Sequence, residues 1–153
     1  MVTLTAGSRD LAFVKHGPQP TRVFRLSDVA AARIAVHDQW RQLRSELKSI
    51  EELPDDWDGD GSPAPSAEAL AIAALLLQDM EADSQSVPPS RVVPTANGTV
   101  CFEWHGGPVQ TELDVRGSRG IRLTRITRGA RQAEVVHLTL ADFLDATGSA
   151  YVM

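Results

Sequence analysis

Several features common in enzymes, secreted proteins and membrane proteins are missing from this chain of 153 residues. It has a single cysteine, Cys101, which excludes an intrachain disulfide and a thiolate metal cluster. No apolar run approaches the roughly 20 residues that span a bilayer, and the first residues lack the basic and apolar regions of a signal peptide. These absences predict a cytoplasmic protein without a membrane segment.

Groupings of catalytic side chains are also lacking. The four histidines are scattered, without the short spacing typical of metal ligands. Gly106-Gly107-Pro108 contains glycines, but no helix follows it as a phosphate-binding loop requires. Cys101 and His105 are close in sequence, yet neither the low pKa nor the orienting partner of a thiol nucleophile can be identified. We therefore predict no catalytic residue, no cofactor and no enzymatic activity.

Charge is unevenly distributed along the chain, whose net charge is -5. Residues 55–90 contain eight acidic residues and no basic ones, a net charge of -8. Residues 1–54 carry +2 and residues 91–153 carry +1. Such a pattern favours pairing between charged surfaces, within or between proteins, over a uniform nucleic-acid-binding surface.

Two amphipathic segments in the first half predict helices. The first runs from about residue 28 to 52 with Ser27 as N-cap, and its apolar stripe is Val29, Val36, Trp40, Leu43, Leu47 and Ile50. The same stripe is compatible with a dimeric coiled coil, although packing within the domain is favoured. The second runs from about residue 66 to 82 with Ser66 as N-cap, and its inner stripe is Leu70, Ala73, Ala74, Leu77 and Met80.

The second half changes to the two-residue period of strands. Arg91 to Pro94 leads into Asn97-Gly98, a strong hairpin-turn signal, and alternating segments follow near residues 100–104, 109–115, 121–126 and 133–138. Glycine-containing turns separate them, which indicates an antiparallel meander of about four strands. Thr139 with Asp142 gives a start similar to a capping box for a short C-terminal helix.

Helices followed by strands predict an α+β fold, with two helices packed on one face of the antiparallel sheet. Residues 26–153 form one domain in this interpretation, and residues 1–25 are an N-terminal extension with short strands or partial disorder. The predicted core consists of Trp40, Leu43, Leu47, Trp57, Leu70, Leu77, Phe102, Trp104, Leu113 and Leu123.

The acidic segment between the two predicted helices, residues 55–66, allows two interpretations. Asp56, Asp58 and Asp60, followed by Gly61, match the opening of a calcium-binding loop spanning residues 56–67. However, position twelve holds Ala67 instead of the bidentate Glu, and no second loop is present to pair with it.

The second interpretation of this segment is structural. Trp57, Asp58, Gly59 and Gly61 would form a rigid turn, in which Asp58 bonds backbone amides and Trp57 packs between the helices and the sheet. Asp55, Asp56 and Asp60 would then face solvent and be available to a partner.

The chain resembles a group of small, uncharacterised bacterial proteins that share a W-D-G-x-G, P-T-x-x-G and E-W pattern. The matching residues are Trp57-Asp58-Gly59-Asp60-Gly61, Pro65, Val92 or Val93, Pro94-Thr95, Gly98 and Glu103-Trp104. The resemblance covers roughly residues 40–116 and implies no established activity or cofactor. It also implies that Asp56 and Asp60 are replaceable, which weakens the calcium interpretation.

Six arginines recur at every third position from Arg116 to Arg131. A three-residue step sends successive side chains of a strand to opposite faces, so these arginines do not form one stripe. Together with Arg91 they could contact phosphates, but residues 109–135 contain no aromatic side chain on which bases would stack. Solubilisation of an edge strand, or pairing with the acidic segment, is the favoured interpretation.

These observations predict a non-catalytic bacterial protein-interaction domain, such as an accessory, antitoxin or immunity-like partner. Its partner would be another protein, encoded nearby, with a homodimer as a further option. Binding would use Asp55, Asp56 and Asp60 or the arginines Arg119, Arg122 and Arg125. The alternatives are a calcium-binding module using Asp56, Asp58 and Asp60, and a weak nucleic-acid binder using the arginines.

Overall fold

A computed structural model describes residues 26–142, and the predicted strands of residues 1–25 lie outside this range. The fold is α+β, as predicted. Its elements are α1 (Leu26–Glu51), α2 (Ala67–Ala82), β1 (Arg91–Pro94), β2 (Val100–Trp104), β3 (Val109–Val115), a 3₁₀ turn (Gly117–Arg119), β4 (Ile121–Thr127) and β5 (Glu134–Leu138). Within the described range, neither helix is long and apolar enough to cross a membrane.

Helix α1 packs on the domain through its second half only. Trp40, Leu43, Leu47 and Ile50 are buried, as the apolar stripe predicts. Val36 belongs to the same stripe but is exposed, and every described side chain from residue 30 to 38 is exposed as well. The first half of the helix therefore extends past the sheet, which periodicity alone does not reveal.

Helix α2 lies deeper in the domain than its predicted stripe indicates. Its N-cap is Ser66, whose hydroxyl accepts a hydrogen bond from the Ala69 N–H at 3.1 Å. Of the predicted stripe, Ala73, Leu77 and Met80 are buried, Leu70 is half-buried and Ala74 is exposed, whereas Ala69, Ile72 and Leu76 are buried in addition. The buried face is wide because α2 contacts α1 on one side and the sheet on the other.

The sheet has five antiparallel strands in the sequential order β1-β2-β3-β4-β5, one more than predicted. The additional strand is β1, which pairs with β2 from Arg91↔Glu103 to Pro94↔Val100. A proline in a short apolar run argues against a central strand but is compatible with an edge strand, the position that β1 takes. The Thr139–Asp142 cap is also present, since each residue's side chain bonds the other's backbone N–H.

One row of side chains crosses the sheet and shows how the core is distributed. The row is Val92, Phe102, Leu113, Leu123 and Val136, on the face that the helices cover. Its first three members are buried, Leu123 is half-buried, and Val136 is 37% exposed. The helices contact β1, β2 and β3, so the core thins towards β5.

Three predicted core residues, Leu70, Trp104 and Leu123, are half-buried and pack against the core. The prediction for Trp57 was wrong. Its indole is half-buried outside the main core, and the Nε1 group is enclosed without a hydrogen-bond partner within the described residues. The short turn holds the indole at the rim of the domain.

Candidate functional site

The segment of residues 55–66, here called the acidic corner, folds around the carboxylate of Asp58. This group accepts hydrogen bonds from the Asp60 N–H at 3.0 Å, the Ser62 N–H at 3.2 Å and the Ser62 hydroxyl. The bond from the Ser62 hydroxyl and those from the backbone lower the pKa of Asp58, since they favour the charged form. Asp58 thus has the structural role predicted for it.

The neighbouring acids of the corner also bond its own backbone. Asp56 accepts a hydrogen bond from the Gly61 N–H at 2.7 Å, and Asp55 accepts one from the Ala64 N–H at 2.9 Å. The Ser62 carbonyl accepts a hydrogen bond from the Asp56 N–H at 2.8 Å. Within residues 26–142, no three His, Cys, Asp or Glu side chains are grouped to hold a metal ion.

The backbone of the corner needs residues that tolerate the left-handed conformation. Gly59 has a φ of 77° and Gly61 a φ of 83°, which glycine adopts without steric cost. Asp56 has a φ of 62°, and aspartate is among the few other residues that occupy this region. Of the acids predicted to bind a partner, only Asp60 is exposed without a hydrogen bond to its carboxylate among the described residues.

The acidic corner packs against the hairpin turn between β1 and β2. The Ser66 N–H donates to the Gly98 carbonyl at 3.1 Å. A Cβ on Gly98 would lie 3.1 Å from the Ala64 carbonyl oxygen and 3.2 Å from the Pro63 Cγ, so a side chain there would press on both neighbours. Because Ser66 is the N-cap of α2, this contact joins the start of the helix to the sheet.

The predicted arginines are not brought together. Arg122 and Arg125 lie on opposite faces of β4, and Arg119 lies in the 3₁₀ turn at the strand's start. Arg122 forms an ion pair with Asp114 at 3.2 Å, and Arg125 approaches Glu134 at 4.0 Å. The partners of these two arginines lie on the adjacent strands β3 and β5, not in the acidic corner.

Asp114 is a buried carboxylate that the sequence did not single out. It accepts a hydrogen bond from the Thr99 hydroxyl, which is itself 2.7 Å from the Thr95 hydroxyl. Arg122 on the next strand supplies a balancing positive charge. This network joins the β1–β2 turn to the centre of the sheet, so its role is structural.

Glu103 bonds two side chains, Arg91 and His105, on the face of the sheet opposite the helices. Its Oε2 accepts hydrogen bonds from Arg91 Nε and from His105 Nε2, both at 2.6 Å. Partial burial raises the pKa of Glu103, but the bonds from Arg91 and His105 outweigh this effect and leave the pKa below its usual value. Glu103 therefore stays ionised within a surface ion-pair cluster.

Cys101 lies on the same face but is buried, and burial raises the pKa of its thiol to about 12. The thiol is protonated at neutral pH, whereas a nucleophile or metal ligand must be a thiolate. His105 is bonded to Glu103 at 2.6 Å. These contacts give no support to a Cys-His nucleophilic pair.

A groove, here called the Trp104 groove, lies on the helix-covered face of the sheet where α2 ends. Its inner part has a volume of about 80 Å³ and its outer part a volume of about 490 Å³. The inner part is lined by Met80, Gln85, Ser86, Val87, Trp104, Thr111, Leu113, Leu123 and Arg125. Val87, Trp104, Thr111 and Arg125 also line the outer part, which extends to Val109 and the 105–106 turn.

The walls of the Trp104 groove are held by specific contacts. The Trp104 indole Nε1 donates to the Val87 carbonyl at 2.9 Å, which fixes the ring against the loop after α2. Val87 and Val109 are exposed, so apolar side chains border the opening. The charged group that lines the groove is Arg125, whose contact with Glu134 at 4.0 Å is at the limit of an ion pair.

This groove was missed because its lining comes from four separate segments: the end of α2, the loop after it, β2 and the β3–β4 pair. Alternation along β2 predicted that Trp104 faces inwards, but it did not show that α2 ends before covering it. The three-residue spacing of the arginines also did not predict that Arg125 lines a groove, because the other arginines of that series do not line it.

Comparisons with protein-family models, with curated proteins and with solved structures found no match for this chain.

Proposed function

We propose that this chain is a non-catalytic protein-interaction domain that binds an extended segment of a partner protein in the Trp104 groove. The proposal keeps the predicted class of function but moves the binding surface. The observation that carries it is an open apolar groove with one arginine at its border.

The acids and arginines predicted from sequence alone are less available to a partner than the Trp104 groove. Of the predicted acids, Asp55 and Asp56 already accept hydrogen bonds from the acidic corner, which leaves Asp60 alone among them without one within the described residues. Arg122 is paired with the buried Asp114. A partner binding these groups would have to replace internal contacts, whereas the Trp104 groove presents apolar surface without such replacement.

The groove also constrains the chemistry of the bound segment. The inner volume of about 80 Å³ suits one small branched apolar side chain, since a cavity of roughly 150 Å³ holds a benzene molecule. Arg125 at the border favours a carboxylate in the bound segment, because charge-assisted hydrogen bonds to arginine are strong and directional. The expected ligand is an extended peptide with an apolar residue next to Asp, Glu or a C-terminal carboxylate.

Selection from a random peptide library tests this proposal. We expect the selected peptides to combine an aliphatic residue with a carboxylate and to shift the NMR signal of the Trp104 indole N–H. Arg125→Glu should weaken binding by roughly tenfold or more, the loss expected for one charge-assisted contact. Arg119→Glu makes the same charge change at the exposed 3₁₀ turn and should leave binding unchanged.

Peptides that bind Arg125→Glu as tightly as the natural chain would contradict the proposal. So would peptides that leave the Trp104 indole signal unmoved. Proteins encoded next to this chain's gene are the natural candidates for the partner, and each can be co-expressed with the natural chain and with both arginine variants.

A further inference from the structure

The hydrogen-bond pattern of the sheet determines which backbone groups of β5 face outwards. The Arg116 N–H bonds the Gly120 carbonyl and the Arg128 N–H bonds the Pro108 carbonyl, so the even-numbered residues of β4 bond β3. Hydrogen-bonded and non-bonded pairs alternate along an antiparallel ladder. The odd-numbered residues of β4 must then bond β5.

The register between β4 and β5 carries this alternation to the edge of the sheet. Leu123 is paired with Val136 and Ile121 with Leu138, so these residues of β5 turn their backbone groups inwards. Val135 and His137 lie between them and turn their N–H and C=O groups outwards. No described strand lies beyond β5, and both residues are exposed.

Strand β5 lacks the features that usually protect an edge from pairing with another strand. Its sequence, Glu134-Val135-Val136-His137-Leu138, contains no proline or lysine, and its register with β4 is unbroken by a bulge. Val135 is 49% exposed on one face and Val136 is 37% exposed on the other. Both faces of this edge therefore present apolar side chains.

We infer that β5 pairs with β5 of a second copy of this chain, antiparallel and around a twofold axis at Val136, to form a continuous ten-stranded sheet. The two outward-facing residues are symmetric about Val136. In this register Val135 of each copy exchanges backbone hydrogen bonds with His137 of the other, giving four in all.

The side chains are compatible with the same register. Val136 meets Val136 of the second copy on the helix-covered face, and Glu134 lies opposite Leu138, so no like charges are opposed. This self-complementary register, in which Val136 meets Val136 and no like charges are opposed, favours a second copy over an arbitrary strand.

The edge is separate from the Trp104 groove, so a chain whose groove binds no peptide can still dimerise. A pair of five-residue strands buries less than a standard protein interface of about 1,600 Å². We therefore expect reversible dimerisation at micromolar concentrations.

Sedimentation velocity of the natural chain between about 1 and 500 µM tests this inference. We expect the dimer fraction to rise with concentration. His137→Pro removes an outward-facing N–H without touching the β4–β5 ladder, and Val135→Lys places a charge at the edge. Each should raise the dissociation constant by roughly tenfold or more, because the substitution is present in both copies and therefore affects two contacts in each dimer.

Ile126→Lys is the matched control. Ile126 lies on the same face as Val135, is 41% exposed and is one strand away from the edge. This variant should dimerise like the natural chain. A natural chain that stays monomeric throughout would overturn the inference, and so would a dimer that survives both edge variants, for instance through the exposed half of α1. Circular dichroism identifies any variant that fails to fold. If His137→Pro does not fold, Val135→Lys still tests the inference.

Discussion

The two edges of the sheet, β1 and β5, differ in how their outward-facing backbone groups are covered. At β1, the outward-facing positions are Val92 and Pro94. The Val92 N–H donates to Glu46 on α1 at 3.1 Å, and Pro94 has no N–H to offer. At β5, the outward-facing positions are Val135 and His137, and neither is covered by a helix of the described chain.

This difference separates a covered edge of the sheet from an edge that the described helices leave exposed. The β1 edge is closed by α1 and by a proline, which are common means of preventing edge-to-edge association. Neither described helix reaches β5, whereas the Trp104 groove lies between the end of α2 and strands β2 to β4. Substitutions at equivalent positions of the two sides measure the difference.

The largest difference is expected for the two hairpin-turn glycines Gly98 and Gly129. Both have a positive φ, so alanine costs about 1 kcal/mol at either position from backbone strain alone. At Gly98 the new Cβ would also press on Pro63 and Ala64, while at Gly129 nothing lies within 4 Å. We expect Gly98→Ala to lower the free energy of unfolding by about 3 kcal/mol and Gly129→Ala by about 1 kcal/mol, measured by urea denaturation. Equal losses of unfolding free energy in the two variants would show that the acidic corner does not pack tightly against the β1–β2 turn.

A smaller difference is expected for Val92 and Val136, which occupy the two ends of one row across the sheet. Val92 is 4% exposed and Val136 is 37% exposed. Truncation to alanine should cost about 2 kcal/mol at Val92, where two methyl groups leave a cavity, and less than about 1 kcal/mol at Val136. Thermal or urea unfolding at low protein concentration measures both losses without a contribution from dimerisation.

Removing the cap of the β1 edge should have a moderate effect. Glu46→Ala leaves the Val92 N–H without its acceptor and should cost about 1 kcal/mol. Glu46→Gln retains an oxygen acceptor and should cost less, which separates the hydrogen bond from the packing of the side chain. Hydrogen exchange provides the direct measurement: the Val92 amide should exchange faster in Glu46→Ala than in the natural chain. An unchanged exchange rate would mean that Glu46 does not protect the edge.

The smallest predicted effect is a pH dependence from the acidic corner. The pKa of Asp58 is lowered from 3.8 in the folded chain, mainly by the Ser62 hydroxyl, so its carboxylate binds a proton less readily than in the unfolded chain. Its contribution to stability is complete above pH 3.8 and is lost as the pH falls through the lower folded pKa. Asp58→Asn should be less stable than the natural chain near neutral pH, and the gap should narrow below pH 3.8. If this difference in stability does not change with pH, it is due to the shape of the Asp58 side chain and not to its charge.

Local signals in the sequence predicted much of this fold. Ser66 caps α2, the apolar stripe from Trp40 to Ile50 is buried, and the Asn97-Gly98 turn joins two strands. Each of these features depends on residues close in sequence, so periodicity and turn chemistry were sufficient. Asp58 belongs with them, because the groups that donate hydrogen bonds to its carboxylate lie within four residues.

The candidate sites could not be predicted in the same way. The Trp104 groove exists because α2 ends at Ala82 and the sheet continues past it, which no spacing within one segment encodes. The role of Glu46 depends on a hydrogen bond to a residue 46 positions away. Trp57 was wrongly placed in the core because its size alone suggested burial there.

The sequence by itself determined that this chain forms two helices and an antiparallel sheet with a tight acidic turn between the helices. Those features follow from steric preferences and hydrogen bonds over a few residues. Only the tertiary structure decided that α1 closes the β1 edge of the sheet while neither described helix covers the β5 edge. That outcome depends on how far each helix extends over the strands, which is determined by packing between segments distant in sequence.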